Sequence, residues 1–144
     1  MSSLTSKRHA ITPDLLVVAL STGRIALYTL CLQDATKPQL SHLGNYEQTA
    51  ESTLILSVAV EATASPFIAT LSTGEASIFD IGDGVLSTLH TWNAHSLEAW
   101  CSAWKTPDSV MTGGDDALLK IWDLRDLKIP KAVCKTYLIF PSQC

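Results

Sequence analysis

The four residues Leu20-Ser21-Thr22-Gly23 return as Leu71-Ser72-Thr73-Gly74. Internal repetition of this kind confines a chain to architectures in which one small unit is stacked on copies of itself. Each copy is followed by a β-patterned segment with an aromatic near its end, residues 24–30 with Tyr28 and residues 75–81 with Phe79. A third segment, residues 118–124, carries Trp122 at the matching place. Phe79 follows Tyr28 by 51 residues, and Trp122 follows Phe79 by 43. A four-stranded unit of this kind takes about 40–45 residues. The longer first interval is read as a polar insertion over roughly residues 33–52.

The apolar segments are short, rich in Val, Ile, Leu, Thr and aromatics, and broken by Gly, Pro, Asp and Ser, which is the pattern of a strand meander. In the first unit only two strands are clear, 15–20 and 24–30. The second has four, at 54–60, 67–72, 75–81 and 85–92, with Gly82-Asp83-Gly84 as the tight turn between the last two. The third has strands at 98–104, 109–114 and 118–124, with a fourth placed within 131–140. A helix competes over 53–63, where Ala and Glu are frequent, but Leu54, Leu56, Val58 and Val60 alternate and Pro66 follows, which favours a strand. The expected layout is a polar segment 1–14, repeats 15–52, 53–93 and 94–130, and an atypical tail 131–144.

Bulk properties narrow the function. Ten basic residues against fourteen acidic ones give a net charge of −4, with no basic stripe, which speaks against nucleic acid as a partner. The longest apolar run, 15–20, is far shorter than the ~20 residues of a membrane span, so no membrane association is expected. Residues 1–9 are polar and lack the apolar stretch of a secretion signal. None of Cys31, Cys101, Cys134 and Cys144 forms a C-x-x-C pair, and they read as reduced thiols of an intracellular protein.

The third repeat holds the informative cluster. Ala94-His95 precedes its first strand, Trp122-Asp123 closes its third, and Thr112 and Asp116 lie between. This arrangement resembles a WD repeat, with His95, Thr112, Asp116 and Trp122 at the places of that repeat's structural tetrad. The imidazole can bond both the carboxylate and the hydroxyl, and the hydroxyl can accept from the indole N–H, so a loop is tied to its strands by satisfied buried polar groups. On this reading His95 is structural before it is catalytic. Ala117 occupies a turn position filled by Gly23 and Gly74 in the other copies. The fold class implied is all-β, a partial WD-repeat β-propeller of about three four-stranded blades, not closed.

A narrower resemblance rests on Ala94-His95-x-x-Glu98-Ala99-Trp100, followed by Gly113-Gly114-Asp115-Asp116 and Trp122-Asp123-x-Arg125. Ordinary WD repeats seldom have Glu-Ala-Trp after the Ala-His pair, and the combination is similar to the diphthine methyl esterase family, called diphthine methyltransferase in older naming. The resemblance implies hydrolysis of the methyl ester of methylated diphthine on translation elongation factor 2, releasing methanol. It implies that factor as protein substrate, the cytoplasm as compartment, and no cofactor. A full propeller of this kind has about seven blades, and residues 131–144 carry no further repeat, so a truncated member is expected.

Ester hydrolysis needs a nucleophile or activated water, a base, and a group to hold the oxyanion. No Gly-x-Ser-x-Gly elbow is present, and His90 and His95 alone do not make a zinc motif. The catalytic residues stay open, with His95, Glu98 and Asp115 as candidates. Each has a plainer reading: a tetrad histidine, a solvent-facing strand residue and a turn residue. Trp92, Trp100 and Trp104 read as packing, Cys101 as a buried small hydrophobe, and residues 120–128, alternating in charge sign, as a solvated edge. A non-catalytic scaffold that docks proteins on its loops is the competing function.

Overall fold

A computed structural model describes residues 15–20, 22–31, 39–47, 53–61, 66–82 and 85–135. The polar segment 1–14, residues 136–144 of the tail, and Asp83 and Gly84 of the expected turn lie outside them. The described residues form three antiparallel meanders. The first is β1 (Leu15–Ala19), β2 (Arg24–Cys31) and β3 (Gln39–Glu47). The second is β4 (Ile55–Val60), β5 (Phe67–Leu71), β6 (Glu75–Gly82) and β7 (Val85–Asn93). The third is β8 (Ala99–Thr106), β9 (Ser109–Gly114), β10 (Leu118–Asp123) and β11 (Ala132–Lys135). The fold is all-β, an unclosed part of a WD-repeat propeller. Among the described residues no helix is long and apolar enough to cross a membrane.

Strand periodicity explains how the blades stack. Successive side chains of a strand point to opposite faces, so a sheet between two others must be apolar on both. β5 is buried at every position. Phe67 and Ala69 on β5, with Phe79 and Ile81 on β6, face Ile25 and Leu27 of the first blade. Ile68, Ala76 and Ile78 face the other way, onto Trp92, Ala94, Val110 and Trp122 around the third blade. Phe67 and Phe79 stack at 5.1 Å, and Trp92 meets Trp122 edge-on at 5.7 Å. Polar contacts also bridge the second and third blades: Ser57 and Ser102 hydroxyls lie 3.0 Å apart, and the Trp104 indole donates to the Ala59 carbonyl at 2.9 Å.

The repeat is visible in backbone detail. The register of β2 with β3 slips between Leu27 and Tyr28, and that of β6 with β7 slips between Ile78 and Phe79, each just before the repeat's aromatic. Gly23, Gly74 and Ala117 all take positive φ, at 75°, 86° and 58°. A Cβ on Gly23 would stand 2.3 Å from the Thr53 carbonyl oxygen, and one on Gly74 would stand 2.4 Å from that of His95. Each turn is therefore pressed against the chain entering the next blade.

Two expectations need correction. The polar stretch 33–52 is not merely an insertion, because Gln39–Glu47 pairs with β2 as the outer strand of the first blade. Its exposed edge position tolerates polar side chains, and Tyr46 anchors it edge-on to Phe79 at 5.0 Å. Nor is Lys120 a solvated edge residue. It is two positions before Trp122 on the same face of β10, and its ammonium donates to the Ala94 carbonyl at 2.6 Å.

Candidate functional site

The loop end of the third blade gathers the residues that the sequence singles out. Ala94 and His95 enter from β7, and their amides donate to the Gly74 carbonyl at 3.0 and 2.8 Å. His95 is buried, with Nδ1 2.8 Å from Asp116 Oδ1 and Nε2 2.8 Å from Thr112 Oγ1. The Trp122 indole donates to the same Thr112 oxygen at 2.9 Å. A single line of hydrogen bonds thus runs from the β9–β10 turn through the entry loop to the middle of the sheet. Burial opposes the charge on Asp116, but the His95 hydrogen bond and the amides of Ser96 and Leu118 outweigh it and hold the carboxyl below its ordinary value. Lys120 lies 3.5 Å from the other carboxylate oxygen.

Glu98 and Asp115 are exposed, and the backbone brings them side by side: the Asp115 amide donates to the Glu98 carbonyl at 2.9 Å. Asp115 borders an open concavity of about 410 Å³, lined also by Trp100, Cys101, Gly113, Ala117 and Leu119. His95 stands apart from these two carboxylates in role, since both of its ring nitrogens are already engaged. Among the described residues no group of three or more His, Cys, Asp or Glu is placed to hold a metal ion.

The aromatic and thiol expectations divide. Trp92 is buried and Trp104 bridges blades, but Trp100 is 51% exposed and Cys101 is exposed, not a buried hydrophobe. The reason is local: they belong to the side of the third sheet on which, among the described residues, no further sheet lies. One group escaped sequence reasoning. Asp123 accepts two hydrogen bonds from the Arg125 guanidinium, at 2.9 and 2.7 Å, a third from the Arg125 amide at 3.0 Å, and forms an ion pair with Lys131. Arg125, then Lys131, holds its carboxyl well below the usual carboxylate range. The Asp-x-Arg spacing was the available signal.

Comparison with known proteins bears on the family. No protein-family model matches the chain. A diphthine methyltransferase of Mus musculus is 37% identical over 71 residues, which is 46% of this chain and 15% of that protein. The diphthine methyltransferase homolog of Dictyostelium discoideum is 28% identical over 118 residues, 78% of this chain and 31% of that protein. The chain is similar to the diphthine methyltransferases. The human diphthine methyltransferase is 45% identical over 42 residues, 28% of this chain and 9% of that protein. The chain thus spans less than a third of each of these three diphthine methyltransferases. Among solved structures, a chain in the crystal structure of a mitotic checkpoint complex superposes with a TM-score of 0.66 at 19% identity, covering 85% of this chain and 34% of that one. That likeness speaks to the fold alone.

Proposed function

We propose that this chain is a propeller segment of a protein acting in diphthamide formation, and that its parent hydrolyses the methyl ester of methylated diphthine on elongation factor 2 in the cytoplasm. The observation that carries the reading is the similarity to diphthine methyltransferases of mouse, human and Dictyostelium. In this reaction water adds to the ester carbonyl, the bond to the methoxy oxygen breaks, and methanol leaves a carboxylate behind. Within this reading His95, held at both nitrogens, keeps the entry loop in place. Glu98 and Asp115, exposed and joined by a backbone hydrogen bond, are the carboxylates this reading proposes to take a proton from water.

A second reading has one observation in its favour. The histidine of the cluster is fully engaged, and a scaffold that docks proteins on its loops needs no free base. The test grafts this chain into the Dictyostelium relative in place of its matching segment and expresses the graft in cells that lack diphthine methyltransferase. The expected result is conversion of accumulated methyl ester to diphthamide, read on elongation factor 2 by mass spectrometry. A soluble, folded graft that binds the factor without converting it would overturn the hydrolase reading and leave the scaffold.

A further inference from the structure

The second blade turns its forward face, the one towards the third blade, into a seam where Ile68, Ala76, Ile78 and Trp92 meet Val110 and Trp122. Both sides of this seam lie within the described residues. Thr70, Ala76 and Trp92 form one row across that face, because Thr70 pairs with Ala76 and Ala76 with Trp92. Paired residues point to the same side of a sheet and neighbouring strands lie ~4.8 Å apart, so Thr70 and Trp92 flank Ala76. Thr70 and Ala76 are 0% exposed and Trp92 is 8% exposed. The Thr70 hydroxyl and the Trp92 indole N–H are both buried, and neither meets a hydrogen-bond partner among the described residues.

Similar groups nearby are satisfied. The indoles of Trp104 and Trp122 donate to the Ala59 carbonyl and the Thr112 hydroxyl at 2.9 Å each, and the Ser77 and Thr91 hydroxyls lie 2.9 Å apart. A buried polar group left unpaired is costly, and in native proteins it finds its partner in the protein or in ordered water. The repeat shows where room for such a water arises. Ile25, paired with Ala19 and Tyr46, holds the place of Ala76 in the first blade, and Leu119, paired with Gly113 and Cys134, holds it in the third. Each is three carbon atoms larger than alanine. The second blade therefore has a lone methyl at a step where its neighbours carry a branched aliphatic side chain, and its two unpaired polar groups stand on either side of that methyl.

We infer that one water molecule is bound at Ala76 in the seam between the second and third blades, held by the Trp92 indole and the Thr70 hydroxyl. Its oxygen accepts from the indole N–H and from the Thr70 O–H. Its own hydrogens go to main-chain carbonyls, each of which keeps a second lone pair beside its ladder bond. A buried water has a share of ~30 Å³ and takes about 2–4 polar partners, which suits a row opened by the loss of three carbon atoms. The row offers neutral groups and no carboxylate, thiol or imidazole, which fits water and not a metal cation. The water ties the outer strand β7 to β5 across the small residue between them. The proposal rests on the packing of two blades and does not depend on the diphthine reading.

Nuclear magnetic resonance of the full chain tests it. The indole N–H signal of Trp92, identified by its disappearance in Trp92→Phe, is expected to show a cross-peak to a long-lived water. Thr70→Val is expected to remove that cross-peak, and Thr70→Ser, which keeps the hydroxyl, to retain it. Urea denaturation gives a second reading. Thr70→Val is expected to lower the midpoint by about 0.5 M, because the water loses an anchor and the indole its partner. Thr70→Val and Trp92→Phe together should lower it by less than the sum of the two single changes, since both act on one water. A midpoint that Thr70→Val leaves unchanged or raises overturns the proposal, because in a dry seam the change only removes an unpaired hydroxyl. Strict additivity overturns it too, as does a Trp92 indole without a water cross-peak in the unaltered chain. If Thr70→Val loses its β-sheet circular dichroism signal, the spectrum of the unaltered chain decides alone.

Discussion

Replacing Thr112 by valine isolates the hydrogen-bonded line of the third blade, because the two side chains have nearly the same shape. Thr112 is 1% exposed, and its hydroxyl serves both the Trp122 indole and the second nitrogen of His95. With the Asp116 carboxylate accepting from the first ring nitrogen, the second accepts from the hydroxyl, and the hydroxyl oxygen accepts from the indole. Valine leaves two buried polar groups without partners, each costing about 1–3 kcal/mol, so a loss near 3 kcal/mol is expected after some relaxation. That is a large share of the ~5–15 kcal/mol that holds a domain together. Urea denaturation followed by far-ultraviolet circular dichroism measures it. Trp122→Phe removes the indole donor in advance, so Thr112→Val made on that background should cost about 1–2 kcal/mol less than it does alone. A loss under about 1 kcal/mol for Thr112→Val, or strict additivity of the two changes, would refute the view that the hydroxyl is a shared partner.

Three further outcomes are expected. Gly74→Ala should cost at least about 2 kcal/mol in the same assay, since the residue sits at φ +86° and its Cβ would meet the carbonyl oxygens of His95 and Leu97 at 2.4 and 2.5 Å. Ala117→Gly should stabilise the isolated chain by about 0.5–1 kcal/mol, because relief of left-handed strain exceeds the entropy that glycine adds to the unfolded chain; an unchanged urea midpoint would contradict this. Asp116 has a folded pKa below its ordinary 3.8, so its contribution is fully present above that value and is lost as pH falls through the lower, folded value. Stability should therefore decline in acid below about pH 4, and Asp116→Asn should flatten that decline.

Much of the architecture was legible because the repeat is written in residues with few alternatives. Gly23 and Gly74 mark turns that a side chain would block, and the aromatics Phe79 and Trp122 mark the same step of each sheet. Periodicity also carried 55–60, where alternating apolar residues outweighed the helix-forming Ala and Glu. The outer strand Gln39–Glu47 was illegible because it is an edge, where polar residues pair as well as apolar ones and no alternation is imposed. Packing of Trp100 and burial of Cys101 were expected from their residue types, but burial depends on whether another sheet covers them, which local sequence does not encode. At the candidate site, the spacing singled out His95, Thr112, Asp116 and Trp122, and these stand in one hydrogen-bonded line. Lys120 escaped because a charge in an alternating run looks solvated until the neighbouring carbonyl of Ala94 is placed beside it. The second blade shows the alternative to such a line. Ala69 and Phe79 hold the places of Thr112 and Trp122, and ring stacking on Phe67 replaces the polar connection.

The grip of the Gly74 carbonyl on the amides of Ala94 and His95 gives assembly a direction. During synthesis, the turn that ends at Gly74 lacks these partners until residues about twenty further on have left the ribosome, and the Gly23 turn lacks its close neighbour Thr53 until residues about thirty further on have done so. Each blade is thus completed by the opening residues of its successor, and folding trails translation rather than proceeding blade by blade in isolation. A pause placed just before Ala94 would leave the Gly74 carbonyl without these partners, and the apolar forward face of the second blade stays bare until Val110 and Trp122 have followed.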